Sequence, residues 1–128
     1  MTDLASHLDL ANHHSNATAS DIGKICDDVL TYGFNAAFVN PTYINLAKKR
    51  LGGKAKVGTA ISFPLGQDTV EMKVFAAEHS AKLGADELDI VPNNALLQTN
   101  ISAYTEEMKT IVYAARSVNA DIVVKFIL

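Results

Sequence analysis

The sequence predicts an α/β fold, a parallel-sheet (βα)4β unit equal to half of a TIM (β/α)8 barrel. Three observations carry that expectation. Short apolar runs of strand length alternate with stretches of helical period along the whole chain. Helix ends feed directly into strands, as at Gly84-Ala85-Asp86 and again at Asn119-Ala120-Asp121. The chain has 128 residues, room for about half of the roughly 250 that a complete barrel takes. Alternation of this kind gives right-handed βαβ crossovers and a parallel sheet.

The first strand is placed at Leu4 to Leu10. From Thr18, the positions Ile22, Ile25, Cys26, Val29 and Leu30 follow the i, i+3, i+4, i+7 spacing of an amphipathic helix, with Thr18 and Asp21 set as a capping box. Gly33 stops that helix, and Phe34 to Val39 is apolar and of strand length. Asn40 and Pro41 read as an N-cap and an N1 proline opening a helix through Ile44, Ala47 and Leu51, which Gly52-Gly53 ends. Lys56 to Phe63 is a third strand, and Pro64-Leu65-Gly66 turns it into a helix capped by Asp68 with Glu71 three residues on. Val70, Val74, Ala77 and Ala81 form the stripe of that helix, which Gly84 closes. Glu87 to Val91 is a fourth strand, followed by a turn at Pro92-Asn93-Asn94. Ile101, Tyr104, Met108, Ile111, Val112 and Ala115 mark a further helix before the last apolar run, Asp121 to Leu128. No linker interrupts the pattern, so residues 1–128 read as one domain.

Composition excludes several functions. With 48% hydrophobic and 20% charged residues, the chain can build a core and is too apolar for a disordered tail. A net charge of -3 offers no clustered cation for nucleic acid. The single Cys26 makes neither an internal disulfide nor a cysteine zinc site, which suits a reducing, cytoplasmic setting. Neither a leader pattern nor a long apolar run calls for a membrane.

Charges stand where parallel strands should be dry. Asp9 lies between Leu8 and Leu10, Asp89 between Leu88 and Ile90, and Lys125 between Val124 and Phe126. A charge inside a strand covered on both faces is costly unless paired. All three are expected late in their strands, at the carboxyl ends where α/β folds hold their ligands. Asp89 and Lys125 fall on consecutive strands and can pair, either as a structural ion pair or as a proton-transfer pair for carbonyl chemistry. His7, Asp9, His13 and His14 invite a metal reading, but no zinc spacing or EF-hand loop is present, and His13-His14 fall in a polar stretch that suits a solvated loop. No metal and no other cofactor is expected. Cys26 sits on an apolar stripe and reads as core. Lys48-Lys49-Arg50, with Lys54 and Lys56, reads as a solvated helix end, since no glycine-rich phosphate fingerprint accompanies it.

The ordered motifs Asp9-Leu10, Tyr32-Gly33-Phe34, Val39-Asn40-Pro41, Phe63-Pro64-Leu65-Gly66, Gly84 to Asp89 with Ile90-Val91, and Val124 to Ile127 resemble those of deoxyribose-phosphate aldolases. These are class I, Schiff-base aldolases on a (β/α)8 barrel. The resemblance implies reversible cleavage of 2-deoxy-D-ribose 5-phosphate to glyceraldehyde 3-phosphate and acetaldehyde through a lysine imine, without a metal. It implies that Asp89 matches an aspartate working with water and a lysine in proton relay. Lys125 would match the active-site lysine of the fifth strand, while Asp9 and Asn40 would face the sugar-phosphate substrate. Two departures stand out: Ala11-Asn12-His13-His14 replaces the usual threonine and leucines, and Phe38 stands where cysteine is common. The family's imine-forming lysine, its partner lysine and its phosphate-binding loops belong to strands six to eight, past Leu128. The expectation is therefore an N-terminal half of such a barrel, inactive or nearly so alone. Two other readings are a non-catalytic half-barrel that self-associates and an unrelated doubly wound α/β ligand-binding domain. Exposed strand edges point to a homo-oligomer.

Overall fold

The computed structural model describes residues 3–128. Five strands form one parallel sheet in sequential order: β1 (Asp9–Asn12), β2 (Ala36–Val39), β3 (Lys56–Ile61), β4 (Glu87–Ile90) and β5 (Val123–Phe126). The helices between them are α1 (Ala19–Tyr32), α2 (Ile44–Leu51), α3 (Val70–Lys82), α4 (Asn94–Thr99) and α5 (Ile101–Val118). Neighbouring strands in order and all parallel require a crossover helix at every step, so the helices line one face and the other is left concave.

Alternation along each strand sorts side chains between those faces. Ala37, Val39, Val57, Ile61, Leu88 and Ile90 point toward the helices and join Ile22, Cys26, Val29, Ile44, Leu51, Ala77 and Ile111 in one core. Each large aliphatic side chain in that layer contributes about 1.5–3 kcal/mol by leaving water. The register aligns Asp9 with Ala36 and Ala36 with Lys56. It also aligns Phe38 with Gly58 and Gly58 with Glu87, then Ala60 with Asp89 and Asp89 with Lys125. These residues share the concave face.

The sequence expectations hold at α1, where the Thr18–Asp21 capping box forms, and fail in four places. The first strand does not start at Leu4: Ala5–His7 is a 3-10 helical turn. Asp3 drives it, accepting from the Ala5 amide through Oδ1 and from the Ser6 hydroxyl through its carbonyl. Asp9 therefore opens its strand instead of lying late in it. After Asn40-Pro41 comes a 3-10 turn, Pro41–Tyr43, and α2 starts only at Ile44. The cap of α3 is Thr69, whose hydroxyl accepts from the Met72 amide, and not Asp68. The turn after β4 leads straight into α4, which Asn93 caps.

Candidate active site

The concave face gathers its charges around Lys125. The Lys125 ammonium donates to Asp9 Oδ2 at 2.9 Å and lies 3.0 Å from Glu87 Oε2 and 3.2 Å from Asp89 Oδ1. Asn35, just before β2, bridges Asp9 Oδ1 at 2.7 Å and Glu87 Oε1 at 3.1 Å. Lys56 donates to Glu87 Oε1 at 2.9 Å. Asp9, Glu87 and Asp89 thus share two ammonium groups, leaving the cluster one negative charge in excess. Asp89 and Lys125 meet as the sequence suggests, and Asp9 joins them, although from the amino end of its strand. Asp9, Glu87 and Lys56 each open a strand; the cluster runs from that level up to Asp89 and Lys125.

Glu87, Lys56 and Asn35 were not legible as site residues from charge inside a strand alone. Glu87 carried a usable signal, because it stands two positions before Asp89 and so shares its face. Lys125 also lies over the Phe38 ring, 4.5 Å from its centroid. That ring is buried and lies flat against Gly58: a Cβ there would fall 2.2 Å from the ring edge. The absence of a side chain at Gly58 is what admits an aromatic floor beneath the ammonium.

The environments push the acids apart. Burial raises the Asp89 carboxyl above its ordinary range, with Lys125 opposing. Burial also acts on Glu87, but hydrogen bonds from Lys56, Lys125 and Asn35 outweigh it and hold that carboxyl low. For Lys125, burial would favour the neutral amine. The carboxylates of Asp9, Glu87 and Asp89 override it and raise the ammonium well above an ordinary lysine. Lys125 is therefore a fixed cation, which is poor preparation for nucleophilic attack. Among the described residues, Asp89 Oδ1 is the buried side-chain oxygen with no hydrogen-bond partner. The Lys125 ammonium, which donates to Asp9, faces that oxygen at 3.2 Å as its ion-pair partner. A buried carboxylate oxygen with an open acceptor position and a raised pKa is suited to take and return a proton.

At the carboxyl ends of β1 to β3, His13, Asn40, Pro41, Ala60, Ser62, Phe63 and Asp68 line a cleft of about 280 Å3. Asn40 Nδ2 donates to the His14 carbonyl at 3.2 Å, tying the loop after β1 to the end of β2. His13 sits 6.2 Å from Phe63, ring centre to ring centre. His7 lies in the turn before β1 and His13 beyond its far end, so the histidines do not gather around Asp9. A larger open cavity of about 680 Å3 lies at the amino ends of the strands, lined by Lys48, Lys54, Lys56 and Asp86. Lys48 there is paired with Asp86 and Lys56 with Glu87, and α1 and α2 end beside it at Gly33 and Gly52. The negative ends of two helix dipoles and the paired lysines make it a poor anion site.

Residues 4–127 match the model of the DeoC/LacD family aldolases. The deoxyribose-phosphate aldolase of Caldicellulosiruptor saccharolyticus is 41% identical over 123 residues, covering 94% of this chain and 56% of that protein. That of a Thermoanaerobacter species is 40% identical over 128 residues, covering 98% of this chain and 57% of that protein. The chain spans about half the length of the curated relatives it matches. Among solved structures, an aldolase named QR15 superposes with a TM-score of 0.88 at 29% identity, over 100% of this chain and 56% of the other. The tetrameric deoxyribose phosphate aldolase of Aeropyrum pernix gives 0.83 at 33% identity, over 96% and 51%. Their coverage agrees with the sheet seen here, five strands with the curvature and connections of half a barrel. With a family match over nearly its whole length, the chain belongs to the DeoC/LacD family of aldolases.

Proposed function

We propose that this chain supplies the proton-transfer half of a deoxyribose-phosphate aldolase site. The reaction is the reversible cleavage of 2-deoxy-D-ribose 5-phosphate to D-glyceraldehyde 3-phosphate and acetaldehyde through a lysine imine. The observation that carries the reading is the buried Asp89 Oδ1, which accepts no hydrogen bond and lies 3.2 Å from the Lys125 ammonium. When a substrate imine breaks its carbon–carbon bond, the hydroxyl on the departing carbon loses its proton and the bond's electron pair flows into the iminium. Asp89, directly or through one water, takes that proton, and in the reverse direction returns it. Lys125 stays charged and steadies the carboxylate that forms. Asp9 spends both oxygens on Asn35 and Lys125, so its part is to line the pocket floor and hold Lys125. Asn40 faces the cleft and meets the substrate. The imine lysine comes from strands completing the barrel, because Lys125 and Lys56 on this face are committed to carboxylates. A cytoplasmic setting fits the free, buried Cys26, and among the described residues no helix is long and apolar enough to cross a membrane.

The test is reconstitution. The chain is mixed with a separately produced carboxyl-terminal half of the Caldicellulosiruptor aldolase and assayed for cleavage, with borohydride trapping in acetaldehyde alongside. Cleavage should appear only on mixing and be lost with Asp89→Asn. Retained turnover in Asp89→Asn, or a borohydride adduct on Lys125 of the chain alone, would overturn the reading.

A second reading, a self-associating half-barrel without catalysis, draws on the edges of the sheet. β1 and β5 each pair on one side only. Beside β5, an apolar trough of about 570 Å3 lies between Phe126 and the Met108, Val112 and Tyr113 side of α5.

A further inference from the structure

Lys73 on α3 and Glu107 on α5 form an ion pair away from the concave cluster, with side chains 0% and 2% exposed. The family reading gives it no task. Burying two charges this completely is a poor route to stability, since a well-packed apolar pair of similar volume generally does as well or better. What an apolar pair cannot do is hold backbone.

Here each charge holds a loop. The Lys73 ammonium donates to the Gly66 carbonyl at 2.7 Å as well as to Glu107. The other oxygen of Glu107 accepts from the Asn93 amide at 3.3 Å. Gly66 belongs to the turn after β3 and Asn93 to the turn after β4. Those turns also touch directly: Gln67 Nε2 donates to Asn93 Oδ1 at 3.1 Å. A Cβ on Gly66, whose φ is +69°, would lie 2.2 Å from the Pro92 carbonyl oxygen, so only glycine lets the two backbones meet. On one side of this junction, the Ser62–Asp68 segment walls the polar cleft. On the other, Val91 continues β4 just past Asp89 and bonds back to the Ile61 carbonyl.

We propose that Lys73 and Glu107 are a positioning pair, which locks the turn after β3 to the turn after β4 and so sets the wall of the cleft beside Asp89. The functional weight of this rests on the reading that the carboxyl ends of these strands form the ligand face. The test below reads the loops themselves, so it can fail while the reconstitution result stands, and the reverse.

The experiment replaces the pair by an apolar one, Lys73→Met with Glu107→Leu, in the full 128-residue chain. Unfolding midpoints and amide exchange by NMR are then compared with the parent. If the pair positions the turns, the double variant keeps its unfolding midpoint and the exchange of Leu88 and Ile90. The amides of Gly66 and Asn93 should exchange at least tenfold faster, and the titration of the Asp89 carboxyl should move. Unchanged exchange at Gly66 and Asn93 in a variant of matched stability overturns the proposal. Glu107→Gln is the second variant. Its single carbonyl oxygen can still accept from Lys73, but its NH2 group cannot accept from Asn93, so Asn93 should lose protection while Gly66 retains it. Protection kept at both amides in Glu107→Gln also overturns the proposal.

Discussion

Lys125 on β5 reaches Asp9 on β1 at 2.9 Å, so the two edge strands of the sheet are joined across its concave face. At about 4.8 Å between strands, a flat five-stranded sheet would hold its edges roughly 19 Å apart, far beyond one lysine side chain. The contact exists because the sheet curls as a closed barrel does, where strands four apart face each other. The pair should therefore report on curvature as well as charge. Lys125→Met removes the cation shared by Asp9, Glu87 and Asp89. It is expected to destabilise the chain by about 2 kcal/mol, less than the 3–5 typical of a fully buried pair because Lys125 is partly solvated. In a double-mutant cycle with Asp9→Asn, urea unfolding should give a coupling of about 0.5 kcal/mol or more. Additive losses would mean that the two edges are not held together in solution.

The acids around that lysine set how stability depends on pH. Glu87 is held below its ordinary range, so its contribution is present above the unfolded value of about 4.3 and is lost as pH falls through the lower folded value. Lys125 is raised. Its contribution is full below about 10.4 and is lost only as pH climbs through the higher folded value. Urea midpoints measured across pH should fall steeply on the acid side, with a flatter acid branch in Glu87→Gln. An acid branch unchanged by that substitution would show that Glu87 is not held low.

Asp89 runs the other way. Its folded pKa is raised, so the fold favours the protonated acid, and that advantage fades as pH rises from the unfolded value of about 3.9 through the folded one. Asp89→Asn keeps the shape without the charge. At neutral pH it should leave stability within about 1 kcal/mol of the parent, on the favourable side, while abolishing the reconstituted cleavage. A loss above about 2 kcal/mol would identify Asp89 with Lys125 as a structural ion pair instead.

How much of this was readable in the sequence depended on how local the cause was. The alternation of strands and helices was legible because each element writes its own period, and the charges at Asp89 and Lys125 stood out against dry neighbours. The turn at Ala5–His7 is not legible, because Leu4, Leu8 and Leu10 sit at the even spacing of a strand, while the hydrogen bonds of Asp3 decide the conformation. Thr69 displaced Asp68 as a cap by one position, a choice made by where the chain leaves the Gly66 turn. Glu87 was legible in principle from strand alternation. Lys73 and Glu107 were not, since two charges 34 residues apart on different helices carry no periodic signal that they will meet.

Phe38 against Gly58 offers a packing test. Gly58→Ala places a methyl 2.2 Å from the ring, and the ring can yield only toward Lys125 and the open face. Overpacking of this kind costs about 1–3 kcal/mol, so the melting temperature should fall and the ring contact with Lys125 should be lost from NMR. The paired change Gly58→Ala with Phe38→Leu should recover most of the loss. If Gly58→Ala alone is neutral, the ring does not lie flat on β3.

The last prediction concerns assembly. β1 and β5 each leave one row of backbone donors and acceptors unpaired, and such edges recruit other strands. Beside β5, Tyr113 is 78% and Leu128 87% exposed, next to the apolar trough under Phe126. On the concave face, the Lys125 and Asp9 side chains remain partly open to water. Two copies related by a two-fold axis would cover the edge of β5 and the trough together, since an isologous contact buries the same patch on both partners. Sedimentation at micromolar concentration should therefore give a dimer or larger species, and Phe126→Lys, which places charge in the trough, should shift it toward monomer. Amide exchange at Val124 and Phe126, whose N–H groups face away from β4, should slow as concentration rises. A monomer whose Val124 and Phe126 amides are already protected at low concentration would mean that the sheet covers its own edge, and self-association would be refuted.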